Sequence, residues 1–164
     1  MKKKYQTGLV IGRFQPFHNG HLYLLQESLK IADKIIIGIG SSNIINIDNP
    51  WTFEERKKVV EEVLRQEKLQ DLVIKIVDIP DVPSDLEWLK VANTKTGKFD
   101  VVIGNNDWVN GIYEVAGFTC IKINLFKRYL HEGTKIRKLM RENKKWEDRV
   151  PVYISRQIRK NILQ

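Results

Sequence analysis

The chain has 164 residues, a formal net charge of +8 and a hydrophobic fraction of 42%. A chain of this length suits one domain over residues 1–164, which buries about two-thirds of the surface that its unfolded form exposes. The positive charge suits acidic ligands, either nucleotides or nucleic acid, although lysines scattered along solvated helix faces are an equal explanation for it.

Cysteine content and hydropathy exclude further classes. The single cysteine, Cys120, excludes an intrachain disulfide, and no Cys/His cluster has zinc-site spacing. The Lys2–Lys4 start precedes an apolar run too short for a signal peptide, and no run approaches the ~20 apolar residues of a membrane span. We therefore expect a soluble cytoplasmic protein without a membrane partner or a metal site of its own.

The first predicted elements form a βαβ unit. The apolar run Thr7–Ile11 predicts a strand buried on both faces, and Leu22–Ala32 carries an apolar stripe at helical spacing. Lys34–Gly40 is rich in β-branched residues and predicts a second strand, parallel to the first. The irregular segment Ser41–Trp51 then leaves the edge of the sheet where open α/β sheets bind ligands.

Helix and strand signals alternate through the rest of the chain. Thr52 with Glu55, and Ser84 with Glu87, have the spacing of helix caps, and the second of these helices carries Leu86, Leu89 and Val91. This alternation predicts an α/β fold, a Rossmann-like doubly wound parallel sheet. The other predicted elements are strands at Leu72–Val77, Phe99–Ile103 and Phe118–Ile123 and helices at Asp107–Val115, Gly133–Arg141 and Pro151–Leu163.

The junction of the first strand and helix concentrates groups that bind phosphate. It reads Gly12-Arg13-Phe14-Gln15-Pro16-Phe17-His18-Asn19-Gly20-His21. If the helix begins near Asn19, His18 and His21 lie over one side of its first turn, beside free backbone N–H groups. A helix N-terminus favours anions, and the chain contains no P-loop or complete dinucleotide fingerprint. Phosphate binding is therefore assigned to this junction.

The decapeptide resembles the HxGH signature of the nucleotidyltransferase superfamily, and its GRFQPFHxGH form is most similar to archaeal nicotinamide-mononucleotide (NMN) adenylyltransferases. A second signature, [ST]-x-x-R, is matched by Thr134 and Arg137. The resemblance covers nearly the whole chain and implies the HIGH-type nucleotidyltransferase fold. It also implies that the chain joins ATP and NMN into NAD and pyrophosphate, with Mg²⁺ supplied with ATP, in a homo-oligomer.

The resemblance implies roles for the residues of both motifs. His18 and His21 would contact the triphosphate and stabilise the α-phosphate, Thr134 would hold phosphate oxygens, and Arg137 would clamp the β- and γ-phosphates. With Arg13, these groups would neutralise charge and position both reactants, which is what phosphoryl transfer requires of a protein. The predicted ATP-binding set is Gly12, Arg13, Phe14, His18, His21, Gly133, Thr134 and Arg137.

The predicted acceptor site consists of Trp88, Gly104 and Asn105. In the similar family a tryptophan stacks on the nicotinamide ring, and Trp88 occupies the matching place, with core packing as the alternative. One departure is Asp48, where the family usually has an arginine. Nicotinate mononucleotide, phosphopantetheine, FMN or a CTP-dependent reaction would fit the same two motifs. A basic nucleic-acid-binding protein is the rival from another class, but no recognised nucleic-acid motif supports it.

Overall fold

A five-stranded parallel sheet forms the centre of the computed structural model, which describes residues 2–162. The strands are β1 (Tyr5–Gly12), β2 (Ala32–Ile39), β3 (Val73–Asp78), β4 (Val101–Gly104) and β5 (Cys120–Lys122). They pair in the order β3-β2-β1-β4-β5. The predicted doubly wound sheet is confirmed, and its strand order reverses between β1 and β4, where the two carboxyl ends leave a crevice.

Helices cover both faces of this sheet. They are α1 (Asn19–Ile31), α2 (Phe53–Gln66), α3 (Asp85–Thr96), α4 (Asp107–Val115), α5 (Gly133–Arg141) and α6 (Ser155–Ile162). Helices α1, α2, α5 and α6 pack in one core with Val10 of β1, and α3 and α4 pack in a second core with Leu9 and Ile11. Burial on both faces explains the continuous apolar run of β1. Across residues 2–162, no helix has the length and apolar character needed to cross a membrane.

The apolar residues that the sequence places in α3 are not buried alike. Leu86 is 63% exposed, whereas Leu89 packs against the second core. The buried residues of α3 are Trp88, Ala92 and Thr96, each four positions from the last. The indole of Trp88 meets the ring of Tyr113 in α4 edge to face, with centroids 6.1 Å apart. An indole buries more apolar area than a leucine, so its position decides which side of α3 faces the sheet.

Strands β4 and β5 are shorter than predicted. β4 begins at Val101 rather than Phe99, because the carboxylate of Asp100 accepts hydrogen bonds from the backbone N–H groups of Gln6 and Thr7 at 3.0 and 2.8 Å. A side chain therefore replaces part of the expected backbone ladder. β5 forms only three ladder residues on the edge of the sheet.

The C-terminal helix begins later than predicted. The N–H of Ile154 donates to the carbonyl of Pro151 at 3.1 Å, which closes a 3₁₀ turn over Val152–Ile154. The α-helix itself begins at Ser155. Its predicted end at Leu163 lies outside the described residues.

A buried arginine holds the ends of β1 and β2 against α2. The guanidinium of Arg56 donates to the carbonyl oxygens of Gly40 at 2.7 Å, Arg13 at 2.8 Å and Ser41 at 3.2 Å. Burial, with the nearby charge of Arg13, lowers the pKa of Arg56 to about 10, so the side chain stays cationic at neutral pH. Arg56 thus fixes the two loops that leave the carboxyl edge of the sheet.

Candidate active site

A cleft of about 220 Å³ opens where β1 and β4 end. All three histidines of the chain line it, namely His18, His21 and His131, and we term it the histidine cleft. Three helices also begin at its wall: α1 at its histidines, α4 at its cap residue Asn106, and α5 at Gly133 and Thr134. The positive ends of three helix dipoles make this cleft suited to an anion, and α5 has no side-chain cap on its first N–H groups.

His18 and His21 cap the first turn of α1 reciprocally. The backbone N–H of His21 donates to His18 Nδ1 at 3.3 Å, and the backbone N–H of His18 donates to His21 Nδ1 at 3.2 Å. A backbone N–H can only donate, so both Nδ1 atoms accept, and each neutral ring carries its hydrogen on Nε2. The rings stack with centroids 3.7 Å apart. Each imidazole therefore keeps one N–H donor for a ligand in the cleft.

Burial keeps both of these rings neutral. It lowers the pKa of His21 to about 3 and, with the neighbouring His21, lowers the pKa of His18 well below its ordinary range. Protonation would also take the Nδ1 lone pair that each cap uses. At neutral pH, His18 and His21 are therefore neutral hydrogen-bond donors rather than cations.

Arg137 supplies a nearly buried positive charge to the same cleft. Its side chain is 4% exposed, and its guanidinium donates to the Gln15 carbonyl at 2.6 Å and to Thr134 Oγ1 at 3.3 Å. Gly133 makes room for it, since a Cβ there would lie 2.9 Å from Arg137 Nη1. Burial and the charge of Arg13 lower the pKa of Arg137, but a guanidinium remains protonated. The side chain is held in position before any ligand binds.

Asp48, the departure from the family pattern, contacts this arginine. Asp48 Oδ1 lies 3.6 Å from Arg137 Nη2. The contact is set by a turn in which Asn46 Oδ1 accepts from the backbone N–H groups of Asp48 and Asn49 at 3.0 and 2.9 Å. Asn49 Oδ1 in turn accepts from Arg13 Nη1 at 3.4 Å. The turn after β2 thus contacts both arginines of the cleft, and Asp48 places a negative charge where an anionic ligand would compete for Arg137.

A second cleft of about 360 Å³ lies beside the first. We term it the tryptophan cleft, because it is lined by Trp88 and Trp108, whose ring centroids lie 5.0 Å apart at 62°. Trp88 is 3% exposed and Trp108 is 50% exposed. Gly12, Arg13 and Asn106 line both clefts. The exposed guanidinium of Arg13 therefore lies on the wall that the two clefts share.

The comparisons with known proteins agree with this geometry. The family model of cytidylyltransferase-like proteins matches residues 9–162. The chain belongs to the cytidylyltransferase-like family. It is 35% identical to the nicotinamide-nucleotide adenylyltransferase of Methanococcus aeolicus over 87% of this chain and 82% of that protein. It is also 35% identical to that of Pyrobaculum arsenaticum, over 93% of this chain and 87% of that protein.

A solved structure shares the fold over most of this chain. The bifunctional NMN adenylyltransferase/ADP ribose pyrophosphatase of Francisella tularensis superposes with a TM-score of 0.76 and 27% identity, over 89% of this chain. The present chain spans only 45% of that longer protein. A second structure of the Francisella protein holds AMP and a manganese ion. The resemblance to NMN adenylyltransferases that the sequence motifs indicated is confirmed for the family and the fold.

Within this cytidylyltransferase-like fold, the predicted phosphate-binding residues lie together. The predicted acceptor residues do not share one cleft: Trp88 lines the tryptophan cleft, whereas Asn105 lines the histidine cleft. Gly104 is buried at the end of β4, where its carbonyl accepts from Asn110 Nδ2 at 3.3 Å. Their roles stay predictions. The histidine cleft is lined by Gly12, Arg13, Phe14, His18, His21, Gly133, Thr134 and Arg137.

Three residues of the site were not found from the sequence. Gln15 is buried and pairs with both backbone groups of Trp51, through Nε2 at 3.0 Å and Oε1 at 3.2 Å, while its own carbonyl accepts from Arg137. Its position inside the decapeptide was the signal from which the sequence could have identified it. Nothing in the sequence distinguishes Arg56 from other arginines in helices. The signals for His131 were that histidine is rare in this chain and that the second motif follows it closely.

Asp48→Asn is expected to lower the KM for ATP about two- to fivefold, because it removes a carboxylate that competes with phosphate for Arg137. The effect is modest because the Asp48 side chain is 61% exposed and solvent screens the pair. Steady-state kinetics with ATP varied would measure it. Asp107→Asn removes a more exposed carboxylate that pairs with Lys122 and lines neither cleft, and as the control it should leave KM unchanged. A higher KM in Asp48→Asn would contradict the competition.

Proposed function

We propose that this chain is a nicotinamide-nucleotide adenylyltransferase that joins ATP and NMN into NAD and pyrophosphate in the cytoplasm. The observation that carries the proposal is the shared wall of the two clefts. On one side lie the donors suited to a triphosphate, on the other side lie aromatic rings suited to a nicotinamide, and Arg13 lies between them. The names of the archaeal relatives support the same reaction.

The triphosphate of ATP occupies the histidine cleft in this proposal. A phosphate oxygen of NMN attacks the α-phosphorus in line, the bond from that phosphorus to the bridging oxygen breaks, and pyrophosphate leaves. The Nε2–H groups of His18 and His21 donate to α-phosphate oxygens, whereas Thr134 and Arg137 hold the β- and γ-phosphates. No covalent nucleophile is needed, because fixed donors stabilise the charge that spreads over the phosphates.

The nicotinamide ring of NMN occupies the tryptophan cleft. A pyridinium ring is positively charged, so an aromatic face attracts it beyond simple burial. Trp88 provides such a face, and the half-exposed Trp108 beside it offers a second one. The carboxylate of Asp81 lines the same cleft and adds negative charge near the ring. The acceptor phosphate then lies toward Arg13, next to the α-phosphate of ATP.

Mg²⁺ enters this reaction as part of the substrate, bound to the phosphates of ATP, where it neutralises charge on them. In the part of the chain that the structure describes, no group of three or more His, Cys, Asp or Glu side chains is arranged to hold a metal ion. The residues of the histidine cleft instead bind phosphate oxygens directly. Assembly as a homo-oligomer stays a prediction from the family resemblance.

An acceptor panel tests the proposed function. With ATP and Mg²⁺, we expect NMN to give NAD and pyrophosphate, and FMN and phosphopantetheine to give no dinucleotide, as scored by pyrophosphate release and product mass. Nicotinate mononucleotide is included to measure the tolerance of the acceptor site. His21→Ala, purified identically, controls for contaminating activity and should turn over about 100-fold more slowly. Faster reaction with FMN or phosphopantetheine, or with CTP in place of ATP, would reject the assignment.

Arg137→Lys should lower kcat/KM for ATP about 10-fold or more. The substitution keeps the positive charge but loses the planar fork that takes two phosphate oxygens, and it leaves the Gln15 carbonyl with a poorer donor. Initial rates at varied ATP concentration measure the change. Lys138→Ala removes an exposed cation one position further along α5 and serves as the control with little expected effect. Equal losses in both variants would remove Arg137 from the reaction.

Trp88→Leu should raise the KM for NMN about two- to tenfold and change the KM for ATP little, because aromatic stacking acts on one substrate only. Leucine is chosen over alanine because Trp88 is buried, and the large cavity that alanine would leave would destabilise the packing of α3 on the sheet. Trp88→Phe keeps an aromatic face and should stay near the wild-type KM. If the KM values for both substrates rise together, Trp88 is a core residue and does not bind the acceptor.

A further inference from the structure

The histidine cleft contains a third histidine to which the proposed reaction gives no role. His131 is 8% exposed, and its ring stacks on Phe126 with centroids 5.4 Å apart. The ring also lies nearly parallel to that of His18, with centroids 6.4 Å apart. On the side of α1, a Cβ at Gly20 would lie 3.1 Å from His131 Cβ, so the two segments are in close contact. Packing from both sides therefore fixes the position of the His131 ring in the cleft.

The hydrogen bond of His131 selects the opposite tautomer from that of His18 and His21. His131 Nδ1 lies 3.2 Å from the carbonyl oxygen of Phe126. A carbonyl can only accept, so Nδ1 carries the hydrogen and Nε2 of the neutral ring keeps a lone pair. In His18 and His21 the lone pair at Nδ1 is already used by a backbone N–H. Of the three histidines, His131 alone can bind a proton without losing a hydrogen bond.

The charges around His131 decide when that proton binds. Burial has the largest effect and lowers the pKa of His131, and the hydrogen bond to Phe126 opposes it. The positive charges of Arg149 and Lys127 lower the pKa further, and Asp148 raises it. An anion within reach of Nε2 would reverse this balance, because an opposite charge favours the protonated ring. The charged and titratable groups around His131 are His18 and His21 of α1, Lys127, Arg128 and Glu132 of the β5–α5 loop, Arg137 of α5, and Asp148 and Arg149 of the 3₁₀ turn Glu147–Arg149.

We propose that His131 takes up a proton from solvent when the triphosphate enters the histidine cleft, and that its Nε2–H then donates to a phosphate oxygen. The inference rests on the proposed function, since it requires the cleft to bind the triphosphate. As the bond to the α-phosphorus breaks, negative charge gathers on the departing pyrophosphate, and a charged donor stabilises it better than a neutral one. The proton returns to solvent when pyrophosphate leaves, so turnover consumes none. The cleft then combines two neutral donors, His18 and His21, with one that becomes charged.

Nitrogen NMR of the intact protein tests this directly, because the chain has only three histidines and all of them line the cleft. The protein is labelled with ¹⁵N-histidine and titrated with inorganic tripolyphosphate near pH 6.5, and the signals of His131 are identified by their loss in His131→Asn. Without tripolyphosphate we expect a proton on Nδ1 of His131 and on Nε2 of the other two rings. At saturation we expect His131 to carry protons on both nitrogens, with its pKa raised by about a unit or more.

The outcomes separate the inference from the proposed function. If tripolyphosphate saturates the cleft while His131 keeps one bare nitrogen, the proton uptake is wrong and the nucleotidyltransferase proposal stands. If His18 or His21 gains the proton instead, the inference is likewise overturned. If millimolar tripolyphosphate shifts no histidine signal, both proposals fail.

Two variants distinguish proton uptake from packing. In His131→Asn the amide nitrogen can keep the bond to the Phe126 carbonyl, but Nε2 is lost, whereas His131→Phe keeps only the stacking. Both should weaken tripolyphosphate binding about 10-fold at pH 6.5, where the bound ring is charged, and much less at pH 8.5. Losses that are equal at both pH values would mean that His131 only packs the loop, and would overturn the proposal. If both variants unfold, the wild-type signals still decide the question, because His131 is the one of the three rings expected to carry its proton on Nδ1 before tripolyphosphate is added.

Discussion

The two hydrogen bonds exchanged by His18 and His21 satisfy the backbone N–H groups of these two residues at the start of α1 and, in the same contact, determine which ring nitrogen each histidine offers to a ligand. An aspartate cap would satisfy the backbone equally well but would leave no donor over the cleft. The same two imidazoles therefore stabilise the start of the helix and supply hydrogen-bond donors to the cleft. Because the cap uses Nδ1, Nε2–H remains available where strand β1 ends and the phosphates are proposed to bind.

Buried arginines complete this arrangement. Arg56 and Arg137 are 2% and 4% exposed, and most of their hydrogen bonds go to loop carbonyls rather than to carboxylates. Burying a guanidinium is costly unless such acceptors are present, so each arginine holds its loop carbonyls in a fixed place. Among the described residues, the carboxylate that pairs with Arg137 is that of the exposed Asp48, at 3.6 Å, so most of this positive charge remains for a ligand. Such preorganised charge is what stabilises a spreading phosphate transition state.

The doubly wound order of the strands explains why two clefts meet at one arginine. Helices α1 and α5 lie on one face of the sheet, α3 and α4 lie on the other, and the crevice between β1 and β4 opens to both. Arg13, the first side chain after β1, lies at that crevice and reaches either cleft. A reaction that joins two nucleotides needs such a position, since their phosphates must meet while their bases lie apart.

Much of this protein was determined by local sequence. The apolar run of β1, the Thr52 cap and the Gly12–His21 junction depend on neighbouring residues, and their structures follow from periodicity and from helix capping. Two features were decided by distant groups: the bonds of the Asp100 carboxylate to Gln6 and Thr7 shortened β4, and Trp88 of α3 packs against the ring of Tyr113. Local propensity cannot anticipate contacts of that kind.

The composition of the site beyond its motifs was decided only by tertiary structure. Asp48 meets Arg137, and His131 lies beside His18, although each pair is far apart in the chain. These pairs form because parallel strands bring all their carboxyl ends to one edge of the sheet, whatever the sequence distance between the loops that follow them. The sequence determined which chemical groups the loops carry. The strand order determined which of those groups meet. That order is set by the burial of both faces of the sheet and not by any local pattern.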